Sequence, residues 1–84
     1  MKRVEIYTTQ TCPYCHRAKL LLSRKGISFE ETDVGGSPAA RVAMTTRAGG
    51  KRMVPQIFIG DKLIGGCDDL YALEEAGKLN MMLI

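Results

Sequence analysis

The apolar and polar positions divide the chain into seven stretches. Val4 to Thr8 predicts a short strand, too brief to separate one buried face from two. From Pro13 to Lys25 the spacing becomes helical. Cys15, Ala18, Leu21 and Leu22 share one stripe, while Arg17, Lys19, Ser23 and Arg24 lie mostly away from it. Leu20 falls outside the stripe, and Gly26 is a fitting stop. Ile27 to Val34 reads as a second strand with Ile27, Phe29 and Val34 inward; strand, helix and strand together imply a right-handed crossover and a parallel pair.

After Gly35-Gly36, Ser37 caps a helix with Pro38 at its first position. This helix runs to about Arg47, is weakly amphipathic through Ala39, Val42 and Ala43, and ends at Gly49-Gly50. Gln56–Ile59 and Lys62–Ile64 flank the turn Gly60-Asp61, a hairpin signal. A last helix starts at Cys67 or Asp68 and runs to Ala76, with Leu70 and Leu73 inward and Gly77 as its stop. The apolar tail Leu79–Ile84 is expected to cover the sheet edge or core; a partner surface is the alternative. The order predicts an α/β fold, a four-stranded mixed sheet flanked by three helices, as one domain over residues 1–84.

Composition narrows the function. At 45% hydrophobic and 25% charged, the 84-residue chain is ordinary for a small globular domain. A net charge of +3 is too mild to imply nucleic-acid binding, but suits a small anionic substrate. No run approaches the ~20 apolar residues of a membrane span, and no targeting segment is evident. Three cysteines, an odd number, argue against a secreted disulfide framework. A reducing cytoplasm and a monomer are the default expectations.

The candidate chemistry lies in Thr11-Cys12-Pro13-Tyr14-Cys15-His16, where a strand hands over to a helix. Disulfide exchange needs a thiolate as attacker. Cys12 stands at the expected N-cap, where unpaired N–H groups and the helix dipole favour negative charge. Cys15 lies about one turn further on, within reach of a disulfide. Cys12 is therefore the candidate nucleophile and Cys15 the candidate resolving thiol.

Three motifs in order, Cys12-Pro13-Tyr14-Cys15, Val54-Pro55 and Gly65-Gly66-Cys67-Asp68-Asp69, make the chain resemble the small bacterial-type dithiol glutaredoxins over essentially its whole length. The resemblance implies a thioredoxin fold, a cis Pro55, and glutathione as reducing co-substrate with no tightly bound cofactor or metal. It also implies a glutathione groove. Tyr14 would pack on the ligand, and Met53, Val54 and Pro55 would supply an extended backbone edge. Gly66, Cys67 and Asp68 would take the γ-glutamyl end at a helix N-terminus. Arg41 matches a position used for the glycine carboxylate. Disulfide-containing or glutathionylated proteins are the implied partners, ribonucleotide reductase among them.

Two departures stand out. The family commonly has a lysine where this chain has Thr9, and a threonine where it has Met53. Lys51 or Arg52 is a candidate replacement for the missing cation, and the stretch Ala48–Arg52 looks slightly long. Two other readings compete. One is a redoxin of the same fold served by thioredoxin reductase. The other is a metal-binding module, with Cys12, Cys15, Cys67 and His16 as four possible zinc ligands, or with an iron–sulfur cluster shared by two protomers through Cys12 and glutathione. His16, next to Cys15 on a helix, is expected to point ~100° away from it.

Overall fold

The computed structural model describes all residues, 1–84. The strands are β1 (Val4–Thr8), β2 (Glu30–Asp33), β3 (Gln56–Ile59) and β4 (Lys62–Gly65). The helices are α1 (Pro13–Arg24), α2 (Pro38–Arg47), α3 (Cys67–Glu75) and α4 (Leu79–Leu83). The sheet order is β2-β1-β3-β4; β1 and β2 run parallel, while β3 is antiparallel to both β1 and β4. This is the thioredoxin fold, with one short helix beyond the three expected.

Two faces of unequal depth explain the pattern in β1. Val4, Ile6 and Thr8 are buried, whereas Glu5 and Tyr7 between them are half-buried. The first set faces the main core, where Val4, Ile6, Ile57 and Ile59 meet Ala18 and Leu22 of α1 and Leu70 of α3. Leu79 and Leu83 of α4 complete this cluster, and the Lys2 N–H donates to the Leu83 carbonyl at 2.6 Å. The tail therefore covers the core. β3 is buried along its whole length because it is central and covered on both sides.

Several sequence expectations need correction. β2 is only Glu30–Asp33, and all its residues are exposed. Ile27 and Val34 are buried and Phe29 packs on the core, but they flank the strand or precede it. An edge strand needs only one partner, so the inward residues do their packing from the adjoining loops. On α2, Ala39 and Ala43 are exposed and Val42 is 64% exposed; the inner face is Met44 and Ala48, spaced one turn apart. Alongside them Arg47 stretches across the sheet. Its guanidinium lies 3.9 Å from the Phe58 ring centre and bonds both Glu5 carboxylate oxygens at 2.9 Å. An arginine stem and head thus fill space that a purely apolar reading assigned to alanines and Val42. Leu21 is only partly buried, and Leu20 is exposed.

Candidate active site

β1 ends at Thr8, and a short turn carries the chain into α1. Cys12 is the N-cap of α1, in extended backbone geometry, and Pro13 occupies the first helical position. The Cys15 N–H donates to Cys12 Sγ at 3.1 Å. The first turn of α1 contains no acidic residue, so Cys12 alone meets the positive end of the helix. On its other side, Cys12 Sγ lies 3.8 Å from the Val54 carbonyl, close enough for a weak S–H donor bond.

The two thiols differ sharply in environment. Cys12 is half-buried, while Cys15 is 1% exposed. Burial pushes the Cys15 thiol up to about 12, and its hydrogen bond with Cys12 adds to the shift. At neutral pH Cys15 is thus a protonated thiol held beneath its partner. In its dithiol form such a pair can open a substrate disulfide.

Beside Cys12 runs a groove of about 470 Å³. Tyr14, 55% exposed, forms one wall, with the Arg17 guanidinium 5.9 Å from its ring centre. The Val54–Pro55 peptide is cis and, with exposed Met53, forms the opposite wall. Lys51 and Arg52 stand on this rim, both exposed. Gly66, Cys67 and Asp68 close the end, where α3 begins.

The glycine turn here is sterically demanding. Gly65 has φ +120°, and a Cβ on it would meet Asp69 Oδ2 at 2.2 Å. Asp69 needs that space because its carboxylate accepts the Gly66 N–H at 2.9 Å. The two neighbouring acids therefore play different parts. Asp69 holds the turn, whereas Asp68 stays exposed at the groove. The first intrahelical bond runs from the Leu70 N–H to the Gly66 carbonyl, 3.1 Å, which leaves the N–H groups of Cys67 and Asp68 free of helix partners. Cys67 is buried; burial, and then the charge of Asp68, raises its thiol above the ordinary range.

Of the residues singled out in the sequence, Tyr14, Met53, Val54, Pro55, Gly66, Cys67 and Asp68 come together around this groove, with Cys12 at its edge. Arg41 does not line it. Its Nη2 donates to the Arg52 carbonyl at 2.9 Å, supporting the rim from behind. Thr9 lines a separate polar hollow with Asp33 and Gly35. His16 is exposed on α1. Sequence reading missed Gln56, buried at the groove floor, because nothing local distinguishes it from any other strand residue.

A buried thiol paired with a more accessible one at a helix N-terminus, facing a cis-proline edge on this sheet, defines a thiol–disulfide oxidoreductase. The glutaredoxin family profile matches residues 4–64. Glutaredoxin 3 of Escherichia coli is 58% identical over 83 residues, covering 99% of both chains. The solution structure of glutaredoxin from Brucella melitensis is similar with a TM-score of 0.86 and 54% identity, covering 99% of this chain and 89% of that one. A buckwheat glutaredoxin–glutathione complex gives a TM-score of 0.87 at 32% identity, over 98% of this chain and 76% of that one. The chain belongs to the glutaredoxin family.

Proposed function

We propose that this chain, acting as one domain over residues 1–84, is a glutathione-dependent oxidoreductase for protein disulfides and glutathione mixed disulfides. The observation that carries the reading is the groove that joins Cys12 to the Val54 edge and to the N-terminus of α3. Its parts match the ends of a γ-glutamyl tripeptide. Free N–H groups at Cys67 and Asp68 suit a carboxylate, and the Asp68 side chain suits an ammonium group. The Val54 backbone suits the central residue as an added strand would, and Tyr14 offers a flat apolar wall. Lys51 and Arg52 supply positive charge on the rim in place of the lysine absent at Thr9. Arg41 acts through the rim it supports. The similarity to a glutaredoxin with glutathione bound agrees with this assignment.

In the first step the Cys12 thiolate attacks one sulfur of the substrate disulfide. A Cys12–substrate disulfide forms, and the other substrate sulfur leaves as a thiolate that takes up a proton. With a protein substrate, Cys15 then loses its proton and attacks Cys12 Sγ. The second protein thiol departs and a Cys12–Cys15 disulfide remains. Two glutathione molecules reduce this bond and leave as glutathione disulfide. With a glutathionylated substrate, Cys12 takes the glutathione, and a second glutathione releases it. The working compartment is the cytoplasm and the working species a monomer.

The test is NADPH oxidation with a small glutathione mixed disulfide. One arm contains glutathione and glutathione reductase, the other thioredoxin reductase alone. Turnover confined to the glutathione arm is the expected result. Turnover confined to the thioredoxin reductase arm would leave the fold standing and remove glutathione as the reductant.

A further inference from the structure

Gln56 opens β3 directly after the cis peptide and is 4% exposed. Its Nε2 donates to the Met53 carbonyl at 2.9 Å. Its Oε1 is buried and has no hydrogen-bond partner within the protein. Across the sheet it stands opposite Tyr7 of β1. A buried acceptor without a donor works against stability, and an apolar side chain of the same size would avoid that penalty. Stability therefore does not account for an amide at this position.

Geometry does. Met53 is 76% exposed, on a rim that otherwise carries exposed Lys51 and Arg52. The rim is held at two points: by Arg41 at the Arg52 carbonyl, which is an exposed bond, and by Gln56 at the Met53 carbonyl, from the buried side. Met53 and Val54 share one peptide plane, so fixing the Met53 carbonyl also fixes the direction of the Val54 N–H. The Val54 carbonyl follows, and it lies against Cys12 Sγ at 3.8 Å.

We infer that Gln56 is a positioning residue for substrate binding. Its carboxamide sets the Met53–Val54 backbone at the angle needed to pair with the backbone of the bound thiol peptide. The inference rests on the groove reading above and adds a residue at the groove floor that acts through the Met53–Val54 backbone and not on the reacting sulfurs. The Oε1 without a protein partner fits that role: the amide serves through its donor, which holds the Met53 carbonyl.

Gln56→Leu keeps the volume and removes both polar groups. The expected result has four parts. The thermal midpoint is no lower than in the parent chain. The KM for a glutathionylated peptide rises about three- to tenfold, the factor commanded by one hydrogen bond. The kcat stays within about twofold, as for lost binding rather than lost chemistry. Alkylation of Cys12 by iodoacetamide keeps its rate. An unchanged KM overturns the inference. So does a variant that fails to fold or melts markedly lower, because the amide would then be structural. The parent chain run alongside separates the two readings: if it shows no saturable dependence on the glutathionylated peptide, the groove reading fails first and takes this inference with it.

Discussion

Cys12 and Cys15 carry the same functional group in different surroundings, and the proposed function gives them different roles. Cys12 is half-buried at a helix end with no competing acid, and Cys15 sits beneath it as a thiol pushed up to about 12. Cys15 therefore contributes nothing to a first attack at neutral pH. In the proposed cycle it acts after Cys12 has entered a mixed disulfide, which removes the neighbouring charge that adds to the shift. Cys15→Ser is expected to retain release of glutathione from glutathionylated peptide, to within about tenfold of the parent rate, and to lose reduction of an intramolecular protein disulfide. Loss of both activities would contradict the division of labour. At this scale the sequence was informative where chemistry is local. The Cys-x-x-Cys spacing and the Pro13 position suffice to place two sulfurs at a helix start. Gln56 and the backing role of Arg41 were not legible, because each depends on a carbonyl whose direction is set by tertiary packing.

The elements were legible as far as their periodicity was apolar. The buried faces of α1 and α3 follow from small and apolar residues at helical spacing, Cys15, Ala18 and Leu22 on the first and Cys67 and Leu70 on the second. That of α2 does not, because its inner face includes Arg47, whose partners Glu5 and Tyr7 lie about 40 residues away in sequence. That ion pair ties α2 to β1 and gives a testable pH dependence. Glu5 is held below its ordinary value of 4.5, first by its hydrogen bonds to Arg47. Glu31 is likewise lowered, first by the Thr8 hydroxyl at 2.7 Å and then by Lys19. A carboxylate depressed on folding contributes stability that is fully present above the unfolded pKa and is lost as pH falls through the folded one. The urea midpoint should therefore fall between about pH 5 and about pH 3. Glu5→Gln should lower the midpoint at pH 7 and make the acid fall shallower. An acid limb unchanged in slope would mean that other carboxylates carry it.

For the molecule as a whole, the last turn of chain is part of the core rather than an appendage. Leu79 and Leu83 are buried with β1, β3, α1 and α3, although their apolar run is too short to predict a helix. A chain of this size has only about 4–12 kcal/mol of stability to lose. Leu79→Ala should remove about 2–4 kcal/mol of it, measured by urea denaturation. A change below about 1 kcal/mol would show that α4 is loosely docked. The topology itself was readable from element order, since a crossover helix forces a parallel pair and a two-residue turn forces an antiparallel one.

One edge of the sheet is β2, whose sequence is Glu30, Glu31, Thr32 and Asp33, all exposed. Its backbone offers unpaired groups to any extended chain, the usual starting point for runaway association. Here the side chains oppose it. Two copies laid antiparallel edge to edge would set Glu30 against Asp33 at both ends, and the Arg3–Glu30 and Lys19–Glu31 ion pairs crowd the same edge with charged side chains; both disfavour the ladder. The sheet is thus closed to self-propagation by charge, as a barrel closes by curvature. A crowded solution of this protein is thereby guarded at this edge by the charged side chains of β2 and their partners.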